Sequence, residues 1–452
     1  MKIIIVGCGK IGLSIVKQLI IEKKHDITVI DKNQDVINDI TNNFDVMGLV
    51  GNGASYSVQR EAQVEKTDLL IAVTGSDEIN LLCCLFARKA GNCNTIARVR
   101  DPLYSKEIQY IKDELGLSMI INPEYAAAVE ISRLLRFPSA DKIDTFAKGR
   151  VELLNIVITE DSPFADKTLI EVSKRVLSDI LICTVERGDD IFIPNGPFIL
   201  RAGDKITIVA SAVNSREFFT KIGFDTHQVK DTMIVGGGRM TYYLAEILLK
   251  MGIRVKVVDS DRERCESLSE MLPKATIING DATNQEVLIE EGIEGCDSFV
   301  SLTGIDETNI FLSLFAKTKT QGKVVTKIDR ISFDDIISTF NLGSLIYPDK
   351  IAADYIVSYV RAMQNTIGSN VETMIKLNSG RVEALEFKIT SNSPIIGRPL
   401  MELNLKRDIL IGCINRKGTI IIPKGQSVVE AGDTVIVVTT RSGLSDIKDI
   451  LE

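Results

Sequence analysis

The chain writes one loop phrase twice, and this repetition constrains its fold more than any other feature. "KIIIVGCGKIG" at residues 2–12 returns as "TMIVGGGRMT" at 232–241, each time a β-type run that empties into glycines. "VTGSDEINLL" (73–82) returns as "LTGIDETNIF" (302–311), and "RVELLNIVIT" (150–159) as "RVEALEFKIT" (381–390). "DILICTVERGDDIFIPNG" (179–196) returns as "DILIGCINRKGTIIIPKG" (408–425), and "AGDKITIVA" (202–210) as "AGDTVIVVT" (431–439). Order and spacing agree over more than 200 residues, so the chain is an internal duplication of the form A–B–A–B. Its 452 residues exceed what one ordinary core holds.

Each A unit alternates short Ile/Val-rich runs with helical stretches. The first copy predicts strands near 2–6, 27–30, 46–50, 69–73, 95–99 and 119–121. Such runs suit a parallel sheet buried on both faces, and strand–helix alternation makes it a doubly wound, Rossmann-type α/β sheet. Apolar helical stretches at 124–137 and 349–363 close the A units, with Pro123 and Pro348 just ahead, where a missing N–H costs little. Each B unit reads as a small α+β module of about 80 residues, with a hairpin at "RGDD" or "RKG". A second landmark, "SPFADKTL" or "SPIIGRPL", reads as a turn into a short helix, and 137–149 and 222–231 read as polar joints.

The glycine loops carry the chemistry. Gly7, Gly9 and Gly12, with Cys8, Lys10 and Ile11 between them, complete G-x-G-x-x-G between strand and helix. The first glycine permits the tight turn, the second lets backbone approach a pyrophosphate, and the third lets helix and strand pack closely. A helix N-terminus then offers free N–H groups to phosphate. Asp31 ends the second strand, where a carboxylate accepts from a ribose diol and repels a 2′-phosphate, favouring NAD(H) over NADP(H). The second copy keeps Gly236, Gly237, Gly238, Arg239, Met240 and Asp259 but has Thr241 at the third glycine position. A β-branched residue there is expected to hold helix and strand slightly apart. The second crevice then either binds more weakly or differently, or is a retained fold that holds nothing.

Further positions converge on the same crevices. Gly53 and Ala54 follow strand three and match Asp281 and Ala282; Thr74 and Gly75 follow strand four and match Thr303 and Gly304. Arg98 in strand five matches Lys327, a basic group that either neutralises phosphate or forms a structural ion pair. Glu78, Asn80, Glu307 and Asn309 open the following helices and read as caps.

Composition excludes several classes. A net charge of −8 without a basic stripe argues against a nucleic-acid partner. No uncharged apolar run approaches roughly 20 residues and no signal peptide opens the chain, so a soluble protein is expected. Eight cysteines lie mostly in apolar runs without a C-x-x-C pair, which reads as buried thiols in a reducing compartment, neither a disulfide framework nor a metal site.

With these motifs in hand, "VGCGKIG", "VTGSDEINLL", "IARVRDPLY" and the paired "AGD" strands, the whole chain resembles the TrkA family of peripheral potassium-uptake proteins, built from RCK (regulator of potassium conductance) domains. The resemblance implies nucleotide-binding RCK units at 1–136 and 232–364 and RCK C-terminal units at 140–222 and 370–452. It implies NAD(H) as ligand, with ATP and ADP as further ligands. It also implies a homo-oligomer, expected to be a tetramer, on the cytoplasmic face of a potassium-translocating membrane subunit of the TrkH type, where it gates ion flux without catalysing a reaction. The chain departs from the pattern at "NGAS" (52–55), where relatives often carry Gly-Asp-Ala-Thr, and at Thr241. An NAD-dependent dehydrogenase is the alternative, but it needs a proton-handling group over the nicotinamide. His25 precedes strand two and His227 lies in a joint, and the B units bring no acid–base set.

Overall fold

A computed structural model describes residues 1–21, 24–105, 107–136, 142–146, 151–175, 180–211, 229–330, 337, 340, 342–365, 371–377, 381–441, 444 and 446–452. His227, residue 137 of the expected first helix and parts of both joints lie outside the described residues. In the first A unit the strands are β1 (Lys2–Val6), β2 (Asp26–Asp31), β3 (Met47–Val50), β4 (Leu69–Ala72), β5 (Asn94–Arg98) and β6 (Met119–Ile121). They form one parallel sheet in the order β3-β2-β1-β4-β5-β6, in register from Ile3 against Ile27 and Leu69. Every residue of β4 is buried, as expected of a strand covered by helices on both faces. The order turns back on itself between β1 and β4, which opens a crevice at their carboxyl ends.

The first B unit contains β7 (Lys142–Phe146), β8 (Val151–Val157), β9 (Ile180–Arg187), β10 (Asp190–Phe192) and β11 (Lys205–Ser211), an antiparallel sheet in the order β10-β9-β11-β8-β7. Strand β7 occupies a stretch expected to be a polar joint: "KIDTF" pairs antiparallel with β8 from Lys142↔Asn155 to Phe146↔Val151. The second A unit repeats the parallel order with β12 (Asp231–Val235), β13 (Arg254–Asp259), β14 (Thr276–Asn279), β15 (Ser298–Ser301), β16 (Lys323–Lys327) and β17 (Ser344–Ile346). The second B unit repeats the antiparallel one with β18 (Val371–Leu377), β19 (Val382–Lys388), β20 (Ile409–Arg416), β21 (Thr419–Ile421) and β22 (Thr434–Thr439). Its hairpin turns through Lys417 and Gly418, both at positive φ (50° and 92°), the primed turn that matches strand twist.

The repeated "AGD" has a local cause. Asp204 accepts from its own turn at the Arg201 N–H (2.8 Å) and takes Arg187 at the end of β9 through Nε and Nη2, both at 2.7 Å. Asp433 does the same with the Glu430 N–H and Arg416. Both carboxylates are buried, so losing the arginine strands a charge at a cost of about 3–5 kcal/mol.

Like packs with like. The chain divides into one unit of Met1–Ser132 with Val229–Val357, and a second of Arg133–Gln228 with Ser358–Glu452. In the second unit, Phe146, Leu153, Cys183 and Val209 of the first B sheet share one buried cluster with Leu377, Val382, Cys413 and Val438 of the second. Arg381 closes its edge, pairing with Glu186 at 3.1 Å and donating to the Asp189 carbonyl. In the first unit Gln18 donates to Asp354 at 2.8 Å across the two A copies. Helices Pro123–Arg136 and Pro348–Asn365 bury Ala127, Ala128, Ile131, Leu135, Ala352, Ala353, Ile356 and Val360 within the chain, while Tyr125 and Tyr355 stay exposed. Among the described residues no helix is long and apolar enough to cross a membrane.

Since each copy covers an apolar face of the other, a fragment of residues 1–228 is left with those faces bare. It is expected to dimerise with itself at micromolar concentration in light scattering; a stable monomer contradicts the pairing.

Candidate functional site

Both glycine loops are held against the end of the neighbouring strand. Gly7 lies at φ +91°, and a Cβ added there meets the Thr74 backbone nitrogen at 2.8 Å. Gly236 at φ +100° stands in the same relation to Thr303, at 2.9 Å. Only glycine meets both demands. A Cβ on Gly12 falls on the Gly7 carbonyl oxygen, whereas at Gly9, Gly75, Gly238 and Gly304 nothing lies within 4 Å. The protein therefore needs the first and third glycines of the first loop for its own packing, while the open space at the second faces outward. Thr241 is buried, and its hydroxyl donates to the Gly236 carbonyl, the counterpart of the atom that crowds Gly12.

Each strand end is tied by one asparagine. Asn80 Oδ1 accepts from the Thr74 N–H (2.8 Å) and hydroxyl (2.7 Å), and its Nδ2 donates to the Arg98 carbonyl (2.9 Å). Asn309 repeats this with Thr303 and Lys327. Both are fully buried, so they bridge the ends of strands four and five; the helix cap in the first copy is Ser76, which accepts from the Ile79 N–H. Glu78 does not cap either but bonds Ser76 and Tyr104. Asp77 accepts from the Arg100 and Asp101 N–H groups, as Asp306 does from Asp329 and Arg330. The repeated D-x-x-N in "GSDEIN" and "GIDETN" is the signal for this arrangement.

The basic residues of strand five both reach the end of strand four, and Lys327 also forms the ion pair that was one of its two expected roles. Arg98 Nη2 donates to the Thr74 carbonyl, and burial lowers its pKa. Lys327 Nζ donates to the Thr303 carbonyl at 3.1 Å and pairs with Asp329 at 2.8 Å. Gly53 sits against the Val6 side chain, Ala54 follows it in the same turn, and Gln59 fixes the Gly53 carbonyl at 2.7 Å. Asp281 is exposed and held by the Thr283 N–H and hydroxyl, which lower its pKa. Ile11 and the Cys8 side chain are buried, and burial, helped by Asp31, pushes the Cys8 thiol up to about 12, so it stays neutral.

The acids at the ends of the second strands differ between copies. Asp31 accepts from the Cys8 N–H at 2.8 Å and from the Asn33 N–H at 3.0 Å. Asp259 accepts from the Gly237 and Asp261 N–H groups at 2.5 and 2.8 Å, and additionally pairs with Arg264 at 3.2 Å.

A cavity of about 1180 Å³ opens over the second loop and is walled by both copies. Gly236, Gly237, Gly238, Arg239, Met240, Asp259, Asp281, Ala282, Thr303, Gly304 and Lys327 all line it. Of the first-copy set only Lys10 and Arg98 do, joined by Arg100 and Glu124, which the sequence reading did not single out. Glu124 and Asp349 have raised pKa values, burial being the larger cause. Arg98, Arg100 and Arg239 oppose the shift at Glu124, and Lys10, Arg98 and Lys327 oppose it at Asp349. Arg98 Nε, Arg100 Nε and Glu124 Oε2 are buried with no hydrogen-bond partner, and Arg100 Nε lies 3.7 Å from Asp77 Oδ1. The copies are also joined mechanically. Tyr243, in the helix after the second loop, donates to the Arg100 carbonyl (2.9 Å) and accepts from Asn122 (3.0 Å), while Arg100 Nη2 holds the Gly75 carbonyl (2.7 Å) of the first crevice.

Residues 3–123 and 232–348 match the TrkA-N domain family, and residues 153–223 and 384–452 match the TrkA-C domain family. The chain is 31% identical over 450 residues to a Trk system potassium uptake protein TrkA homolog from Archaeoglobus fulgidus, with all of both chains covered. It is 30% identical over 459 residues to the Trk system potassium uptake protein TrkA of Haemophilus influenzae, covering 100% of this chain and 97% of that one. In structure it resembles the GsuK channel bound to NAD, with a TM-score of 0.63, 17% identity, and 97% of this chain and 76% of that chain covered.

The contrast between the loop glycines is testable without any ligand. Gly12→Val is expected to lower stability by about 1–3 kcal/mol, because backbone must move to admit it. Gly9→Ala is expected to leave the thermal midpoint where it is. Calorimetric scans in which both variants melt alike contradict the geometry.

Proposed function

Because this chain belongs to the TrkA family, with TrkA-N and TrkA-C matches alternating through both halves, we propose that it is the nucleotide-binding regulatory subunit of a Trk-type potassium uptake system. It acts on the cytoplasmic side of a potassium-translocating membrane subunit of the TrkH type, and its ligands are NAD(H) and the adenine nucleotides ATP and ADP. The observation that carries this reading is the cavity over the second loop, lined by Lys10, Arg98 and Arg100 of one copy and by Arg239 and Lys327 of the other. A phosphorylated ligand bound there touches two bodies at once, so its affinity depends on their relative placement. A ligand indifferent to that placement shifts nothing.

The residues present fit such a ligand. Gly9 and Gly238 leave open space where a pyrophosphate approaches, each loop leads into a helix N-terminus, and Arg98 and Arg100 bring positive charge to the cavity wall. Gly7, Gly9, Gly12, Asp31, Gly53, Ala54, Thr74 and Gly75 form the first crevice, with Lys10 and Arg98 at its mouth. The corresponding residues of the second copy form the other. A dehydrogenase is less well supported, since His25 stands at the amino end of β2, the opposite end of the sheet from the loop.

Self-association follows from exposed apolar residues at matched places. Leu82 in helix Asp77–Gly91 and Phe311 in helix Asp306–Lys319 occupy corresponding positions, and they are 41% and 72% exposed. A homotetramer of tandem chains brings eight crevices together. The roughly 5.5 kcal/mol needed to turn a gate from 1:99 to 99:1 then requires only about 0.7 kcal/mol of preference at each.

Two measurements test this reading. Potassium flux in vesicles that hold the membrane subunit is expected to change when the protein is added and to change again with NADH, NAD, ATP or ADP; Gly9→Asp is expected to abolish dinucleotide binding at the first crevice with the fold intact by circular dichroism. Flux indifferent to protein and nucleotides overturns the regulatory reading. Light scattering is expected to show a tetramer that Phe311→Asp dissociates, and an unaffected assembly removes that surface from the interface.

A further inference from the structure

The loops "GCG" and "GGG" differ at their middle residue, and the structure supplies a reason. A Cβ built on Gly237 meets Leu268 Cδ1 at 2.9 Å, Asp259 Oδ2 at 3.1 Å and Arg264 Cδ at 3.2 Å. The stem of Arg264 thus passes through the space that a side chain at 237 needs. In the first copy Cys8 fills the corresponding place and Val36 stands where Arg264 does. The pairs Cys8 with Val36 and Gly237 with Arg264 are alternative solutions to one packing problem.

The consequence falls on the acid. Asp31 receives one backbone N–H on each oxygen and is half-buried, which leaves lone pairs facing the crevice. Asp259 receives those two bonds and Arg264 Nη1 as well, and is only 7% exposed. Arg264 Nη2 also reaches Asp261 at 3.3 Å, so the guanidinium is anchored by two carboxylates while its side chain remains 49% exposed on the cavity wall.

Building on the reading of the crevices as nucleotide sites, we propose that Arg264, admitted by Gly237, is the specificity-determining residue of the second crevice. It occupies the Asp259 carboxylate, withdraws it from the ribose diol, and leaves this crevice to select an adenine nucleotide by its base and phosphates. A carboxylate that accepts from the 2′-hydroxyl discriminates against a 2′-deoxy ligand; one already paired with a guanidinium does not.

The test uses the full chain carrying Gly9→Asp, so that binding reports the second crevice, with ADP and 2′-deoxy-ADP as probes in calorimetric titration. The two affinities are expected to agree within about threefold. Adding Gly237→Cys together with Arg264→Val, the pair of the first copy, is expected to create a preference for ADP of about tenfold or more, the loss expected when a charged acceptor misses its hydroxyl. Arg264→Val alone provides a second chain with the carboxylate released should the double change disturb the loop. A second crevice that already prefers ADP by tenfold overturns the proposal, as does a preference unmoved by either change. ADP binding with the wrong ratio defeats this inference alone, whereas failure of every nucleotide to bind either crevice defeats the reading it rests on as well.

Discussion

The closeness of each glycine turn to the end of the next strand governs this protein. Gly7 against Thr74 and Gly236 against Thr303 leave no room for a Cβ, and each contact is locked from behind by a buried asparagine that ties strands four and five together. From that fixed point the rest follows. The turn aims a helix N-terminus across the carboxyl ends of the strands, the acid of the second strand holds the loop N–H groups, and the basic residue of the fifth strand grips the same threonine carbonyl. A crevice built in this way is rigid before any ligand arrives, so little ordering entropy remains for a ligand to offset.

Much of this was legible because the physics is local. The six first-copy strands fall within a residue of their expected limits, since buried parallel strands must be short and apolar. The glycines and both acids were legible because backbone conformation and phosphate approach leave few alternatives. Strand β7 was not, for "KIDTF" carries too little apolar pattern to distinguish it from a joint; its pairing with β8 settles its conformation. Asn80 and Asn309 read as caps because their position in the helix is visible in sequence, whereas the strand ends they bridge are brought to them only by folding.

What the sequence left out is everything that one copy does to the other. A repeat announces two similar bodies without saying which faces meet. The apolar stretches read at 124–137 and 349–363 show the limit, because sequence does not tell that Ala128, Ile131, Ala353 and Ile356 are buried within this chain while Tyr125 and Tyr355 stay exposed. The Tyr243 link to Arg100 and the entry of Lys10 and Arg98 into the other copy's cavity depend on contacts between distant segments. The difference between Cys8 and Gly237 was visible from the start, but its meaning required Arg264 to be seen beside it.

Joining the two copies in one polypeptide has a genetic consequence. In a dimer of identical subunits every substitution appears twice, and a change that helps one pocket is imposed on its twin. Here Tyr243 faces Arg100 while the corresponding place in the first copy holds Ser14, and a single codon can alter either environment while sparing the other. The tandem arrangement releases the two pockets from the obligation to match, so that one gene can drift toward two chemically distinct receptors while keeping the scaffold that unites them.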